Sequence, residues 1–133
     1  MNRRMLSRED ESTTEVTVTR EDQDHINKFS TLHQKQGLLK DELEKKSQEK
    51  EYIEDVSNEL ELADEDDLIP YKIGDSFLHL PLEEVMQLLE ANKEEVGKEV
   101  KEIVEKMGAN ERVMSGLKVE LYSKFGKAIN LEV

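Results

Sequence analysis

The sequence predicts a mainly α fold: a long antiparallel two-helix coiled coil with a single central β-hairpin. Three observations predict it. Two stretches of roughly 40 residues place apolar side chains at alternating three- and four-residue steps. Charged residues make up 38% of the 133 and aromatic ones only 5%, which suits a narrow helical seam better than a compact core. Between the two stretches lies "IPYKIGDSFLHLP", residues 69–81, with strand-like composition, a turn and both prolines.

The net charge of −13 would repel nucleic acid and anionic lipid, so neither is expected as a partner. A protein with a positive surface fits better. The chain has no cysteine, which excludes disulfides, thiol catalysis and Cys-based metal sites. No run approaches the roughly 18 consecutive apolar residues of a membrane span. The opening "MNRRMLSREDESTTEV" has three arginines but no apolar run behind them, unlike a secretory signal. Glu9, Asp10 and Glu11 argue against a mitochondrial presequence. Residues 1–15 are read as a disordered tail and residues 16–133 as one domain.

The first helix is expected over residues 20–62. Thr19 can cap it with its hydroxyl, and Glu21 and Asp22 place negative charge in the first turn. Its seam reads Phe29, Leu32, Gln36, Leu39, Leu43, Lys46, Lys50, Ile53, Ser57 and Leu60. Four of these ten are polar, which leaves soft places. Asp41 with Lys45 and Glu42 with Lys46 are i,i+4 pairs in the favourable order.

The second helix is expected over residues 82–125, behind Pro81. Its seam reads Val85, Leu89, Asn92, Val96, Val100, Ile103, Met107, Asn110, Met114, Leu117, Leu121 and Phe125. The consecutive four-residue steps at 92, 96 and 100 make a stutter that relaxes the supercoil. Gly97, Gly108 and Gly116 each cost about 1 kcal/mol against Ala, so this helix needs a partner. Gly126 is placed to end it. About 18 residues join the helices, so antiparallel packing is the simplest, with facing residue numbers adding to about 144. Phe29 should then lie near Leu117, Leu43 near Ile103, and Leu60 near Val85.

The hairpin is expected over residues 68–80, with Gly74 and Asp75 as its two-residue turn. That turn pairs Ile73 with Ser76, Lys72 with Phe77, Tyr71 with Leu78, and Ile69 with Leu80. One face then carries Ile69, Tyr71, Ile73, Leu78 and Leu80, and the other Pro70, Lys72, Phe77 and His79. A lone two-stranded hairpin is marginal in water, and its free edges invite further strands. Either it folds back onto its own helices, or several chains pool hairpins into one sheet or barrel. The second reading makes it an assembly element.

No constellation points to catalysis. Asp64, Glu65, Asp66 and Asp67 are contiguous and lack the glycine and terminal glutamate of a calcium loop. His25 and His33 are eight residues apart on one helix and His79 is remote, so no metal site is expected. No glycine-rich phosphate cradle exists. No enzyme activity and no cofactor are expected. Beyond the second helix an apolar tail over 126–133 follows, and antiparallel pairing leaves Phe125, Ile129 and Leu131 little to pack against except Val16 and Val18. These are either frayed helix-end residues or an exposed apolar tip for weak, promiscuous contacts.

Three stretches in this order, "VTREDQDHINKFS", "DEDDLIPYKIGDSF" and "LYSKFGKAINLE", resemble prefoldin, and within it the β-type subunits. The resemblance covers residues 18–132. It implies a heterohexamer of α-type and β-type subunits whose hairpins form a β-barrel, with the coiled coils hanging from it. It further implies a co-chaperone that binds unfolded actin and tubulin and passes them to the cytosolic chaperonin without ATP. The compartment would be the cytoplasm, with the nucleus as a second. Carried across, the barrel role falls on Ile69, Tyr71, Ile73, Phe77, Leu78 and Leu80. The client-holding role falls on Ile26, Phe29, Leu117, Leu121, Tyr122, Phe125, Ile129 and Leu131. A structural or tethering coiled coil is the competing reading, but it has no need of an apolar hairpin.

Overall fold

A computed structural model describes residues 17–131. The expected tail over 1–15, Val16 and the last two residues lie outside the described residues. Helix α1 spans Arg20–Leu60, strands β1 and β2 span Leu68–Ile73 and Ser76–Pro81, and helix α2 spans Leu82–Phe125. A 3-10 turn over Gly126–Ala128 follows. The chain divides into two compact units. Of the described residues, a terminal unit holds 17–40 and 105–131, and a hairpin unit holds Asp41–Val104.

The start of α1 in the terminal unit is set by local chemistry. The Asp22 N–H donates to Thr19 Oγ1 at 3.1 Å, and the Thr19 N–H donates back to Asp22 Oδ2 at 3.0 Å. This reciprocal box satisfies two backbone donors that a helix start otherwise leaves open. Ile26, Phe29, Met114, Leu117, Leu121 and Phe125 then bury a common core with Ala128, Ile129 and Leu131. The two polar seam positions of this unit meet each other. Gln36 Nε2 donates to the Met107 carbonyl at 3.0 Å, and Asn110 Nδ2 donates to Gln36 Oε1 at 3.2 Å. A polar pair inside an apolar seam fixes register, because any slip would bury each group unpaired.

In the hairpin unit, Ile53, Val85, Leu89 and Val96 form the buried core, with Leu60, Ile69, Tyr71 and Leu80 packed against it. Lys46 pairs with Glu99 and Lys93 with Glu54 between the helices. Every cross-helix polar pair in either unit has residue numbers adding to within three of 144, the antiparallel register expected. One seam position differs. Asn92 is exposed, and its amide donates to Tyr71 Oη at 2.9 Å. Its polar side chain thus finds its partner on the hairpin rather than on α1.

Candidate functional site

The hairpin has the register that its turn dictates. Ile73 faces Ser76, Lys72 faces Phe77, Tyr71 faces Leu78 and Ile69 faces Leu80. Gly74 sits at φ +60°, the left-handed value required at the first position of the tight turns that match strand twist. The hairpin folds back onto its own unit in part: Ile69, Tyr71 and Leu80 are half-buried on the unit's own helices. Along the rest of both strands Leu68, Ile73, Phe77 and Leu78 are all exposed, Phe77 at 66%. Within the described residues the sheet has two strands only, so both edges offer unpaired backbone groups. The hairpin therefore presents an apolar surface and two hydrogen-bonding edges together.

The terminal unit brings the second set of candidates together, but inside it. Ile26, Phe29, Leu117, Leu121, Phe125, Ile129 and Leu131 are buried, and Tyr122 is half-buried against them. The expectation that Phe125, Ile129 and Leu131 have little to pack against is not met. Gly126 takes φ +57°, which turns the chain back at the helix end. Ile129 is then extended, and the Leu131 N–H donates to Tyr122 Oη at 3.2 Å. Residues 128–131 thus close the core of their own unit.

Sequence reasoning missed what holds this closure. Asp22 is buried at 7% exposure, and its Oδ2 also takes the Lys124 ammonium. Burial pushes its carboxyl up, but the bonds from Lys124 and Thr19 together outweigh that and hold it below the ordinary 3.8. The seam run back two turns from Phe29 reaches Ile26 and then Asp22, and that extension is the available signal. In the hairpin unit, the Glu99 carboxylate raises the Lys46 ammonium above its usual value. Among the described residues no group of three potential metal ligands occurs, and no helix is long and apolar enough to cross a membrane.

A paired-helix chain with one outward apolar hairpin is built as a subunit, with part of its surface left for other chains. Comparison with known proteins gives the family. The sequence profile of the prefoldin subunit family matches residues 23–128. Prefoldin subunit 4 of Homo sapiens is 41% identical over 119 residues, covering 89% of each chain. Prefoldin subunit 4 of Saccharomyces cerevisiae is 40% identical over 115 residues, 86% of this chain and 89% of that one. The crystal structure of the prefoldin beta subunit from Thermococcus strain KS-1 shares the fold. Its TM-score is 0.75 at 12% identity, over 83% of this chain and 96% of that one. The chain belongs to the prefoldin subunit family, whose members assemble with other prefoldin subunits and are co-chaperones, not enzymes.

Proposed function

We propose that this chain is a β-type subunit of a heterohexameric prefoldin that holds unfolded actin and tubulin and passes them to the cytosolic chaperonin without ATP. The cytoplasm is the proposed compartment, with the nucleus as a second. The observation that carries the assembly part is the apolar surface that the hairpin leaves bare. Leu68, Ile73, Phe77 and Leu78 are exposed beside two open strand edges, and neighbouring hairpins would cover both at once. A β-type role is supported by the single hairpin between the helices among the described residues.

Client holding falls to the terminal unit. Of its candidates only Tyr122 is partly open to solvent, so Ile26, Phe29, Leu117, Leu121, Phe125, Ile129 and Leu131 reach a client only when residues 126–131 lift. Apolar contacts worth at most about 1.5–3 kcal/mol each when fully buried would hold a client reversibly. The test is co-expression with α-type and other β-type prefoldin subunits, followed by native mass measurement and light scattering of diluted denatured actin. A six-chain complex that contains this chain and suppresses scattering without nucleotide is the expected result. Absence of the chain from the complex, or no suppression by a complex containing it, would overturn the proposal.

A further inference from the structure

Charge is unevenly divided along this chain. The described residues of the terminal unit, 17–40 and 105–131, carry nine Lys and Arg against six Asp and Glu, a net of +3. The hairpin unit, 41–104, carries seven against twenty-one, a net of −14. Residues 1–16 and 132–133 carry the remaining −2, so the overall −13 conceals the basic balance of residues 17–40 and 105–131.

On the terminal unit a shallow groove of about 330 Å³ is lined by Lys35, Leu38 and Leu39 of α1 and by Lys106 and Asn110 of α2. Leu38 is 71% exposed. No carboxylate lines the groove. Among the described residues neither Lys35 nor Lys106 has an ion pair or hydrogen bond, whereas Lys46, Lys93 and Lys124 are all paired. A single exposed leucine is ordinary. Two adjacent leucines bracketed by two unneutralised ammonium groups are a matched surface, apolar in the middle and cationic at the sides.

We propose that this groove docks an acidic amphipathic segment of an unfolded client chain. The apolar side chains of the segment cover Leu38 and Leu39 while its carboxylates meet Lys35 and Lys106. A basic segment would be repelled by the two lysines and drawn to the hairpin unit instead. A nucleic acid would satisfy the lysines but leave the leucines bare. The inference rests on the co-chaperone reading for the nature of the partner, while the surface stands on charge and exposure alone.

The test uses the full chain and two labelled helical peptides of about 18 residues, roughly 27 Å long. One is built from Glu and Leu, and the other has Gln in place of every Glu. Fluorescence anisotropy at low and physiological salt reads the affinities. The Glu/Leu peptide should bind about tenfold tighter than the Gln/Leu peptide, with an advantage that shrinks as salt rises. Lys35→Glu with Lys106→Glu should erase that advantage, and Leu38→Ser should weaken both peptides. All three positions lie on the surface, so circular dichroism should show unchanged helix content. Equal affinity of the two peptides for the wild-type chain, or Glu/Leu binding unaltered by the double charge reversal, would overturn the groove. Suppression of actin scattering by the assembled complex is read separately. Peptide binding without suppression sinks the co-chaperone reading alone, and suppression without peptide binding sinks the groove alone.

Discussion

The Lys124 ammonium lies against the buried carboxylate of Asp22, 102 residues earlier in the chain, and so ties the start of α1 to the end of α2. Asp22 caps its own helix through Thr19 at the same time. One side chain thereby orders both ends of the described chain. Replacing Lys124 with Met leaves an anion at 7% exposure without its cation. A fully buried pair would lose about 3–5 kcal/mol on such a change. Lys124 is itself about two-fifths exposed, so about 1–3 kcal/mol is expected here. Hydrogen exchange should speed up at Asp22, Gln23 and Leu131 while the amides of the hairpin unit keep their rates. Unchanged exchange at all three would show that the pair contributes nothing.

Acidification should act on the same contact. The folded-state pKa of Asp22 lies below the ordinary value, so its stabilising contribution is complete above that value and is lost as pH falls through the folded one. Protection of the Leu131 amide should therefore hold from neutrality down to about pH 4 and then decline. A carboxyl carbon titration by NMR checks the sign directly. An Asp22 midpoint at or above the ordinary value would contradict the geometry.

The Gln36–Asn110 pair should show the asymmetry of buried polar groups. Asn110→Leu leaves the Gln36 carbonyl oxygen without its donor and should cost about 1–3 kcal/mol. Gln36→Leu likewise strips Asn110 and the Met107 carbonyl of their partner. The double change to Leu should be milder than the sum of the two, because no polar side chain then remains to be stranded. Thermal unfolding of the four chains measures the coupling. Additive losses would mean that the pair is merely adjacent.

Ile73→Asp separates the lone chain from the assembled one. Ile73 is about half exposed in this chain, so the substitution should change the chain's own unfolding free energy by no more than about 0.5 kcal/mol. In a shared barrel the same carboxylate would be buried without a partner, at a cost of several kcal/mol. The variant should keep its helix content and drop out of the co-expressed complex. Normal incorporation would remove Ile73 from the barrel face.

Much of this fold could be read from the sequence because its determinants are local or periodic. Gly74 at a two-residue turn admits only one pairing of the flanking residues, and the structure has that pairing. The apolar steps from Phe29 to Leu60 and from Val85 to Phe125 likewise leave one antiparallel register. What escaped depends on residues far apart in sequence. Asp22 and Lys124 meet only after the helices have paired. The return of Ile129 and Leu131 to the core follows from one positive φ at Gly126, which apolar periodicity does not report. Their two-residue spacing, extended rather than helical, was the one trace of it. Asn92 falls on a seam step in the sequence, but its amide bonds to Tyr71 of the hairpin, a partner that the repeat does not report.

If neighbouring hairpins cover Leu68, Ile73 and Phe77 as proposed, a lone copy of this chain leaves them in water. Copies made in excess of their partners would expose sticky strand edges, the kind that self-pair or attract proteases. The abundance of this chain in a cell would then follow the supply of its partners more closely than its own rate of synthesis. Stoichiometry would be enforced after translation, by the survival of covered copies and the removal of bare ones.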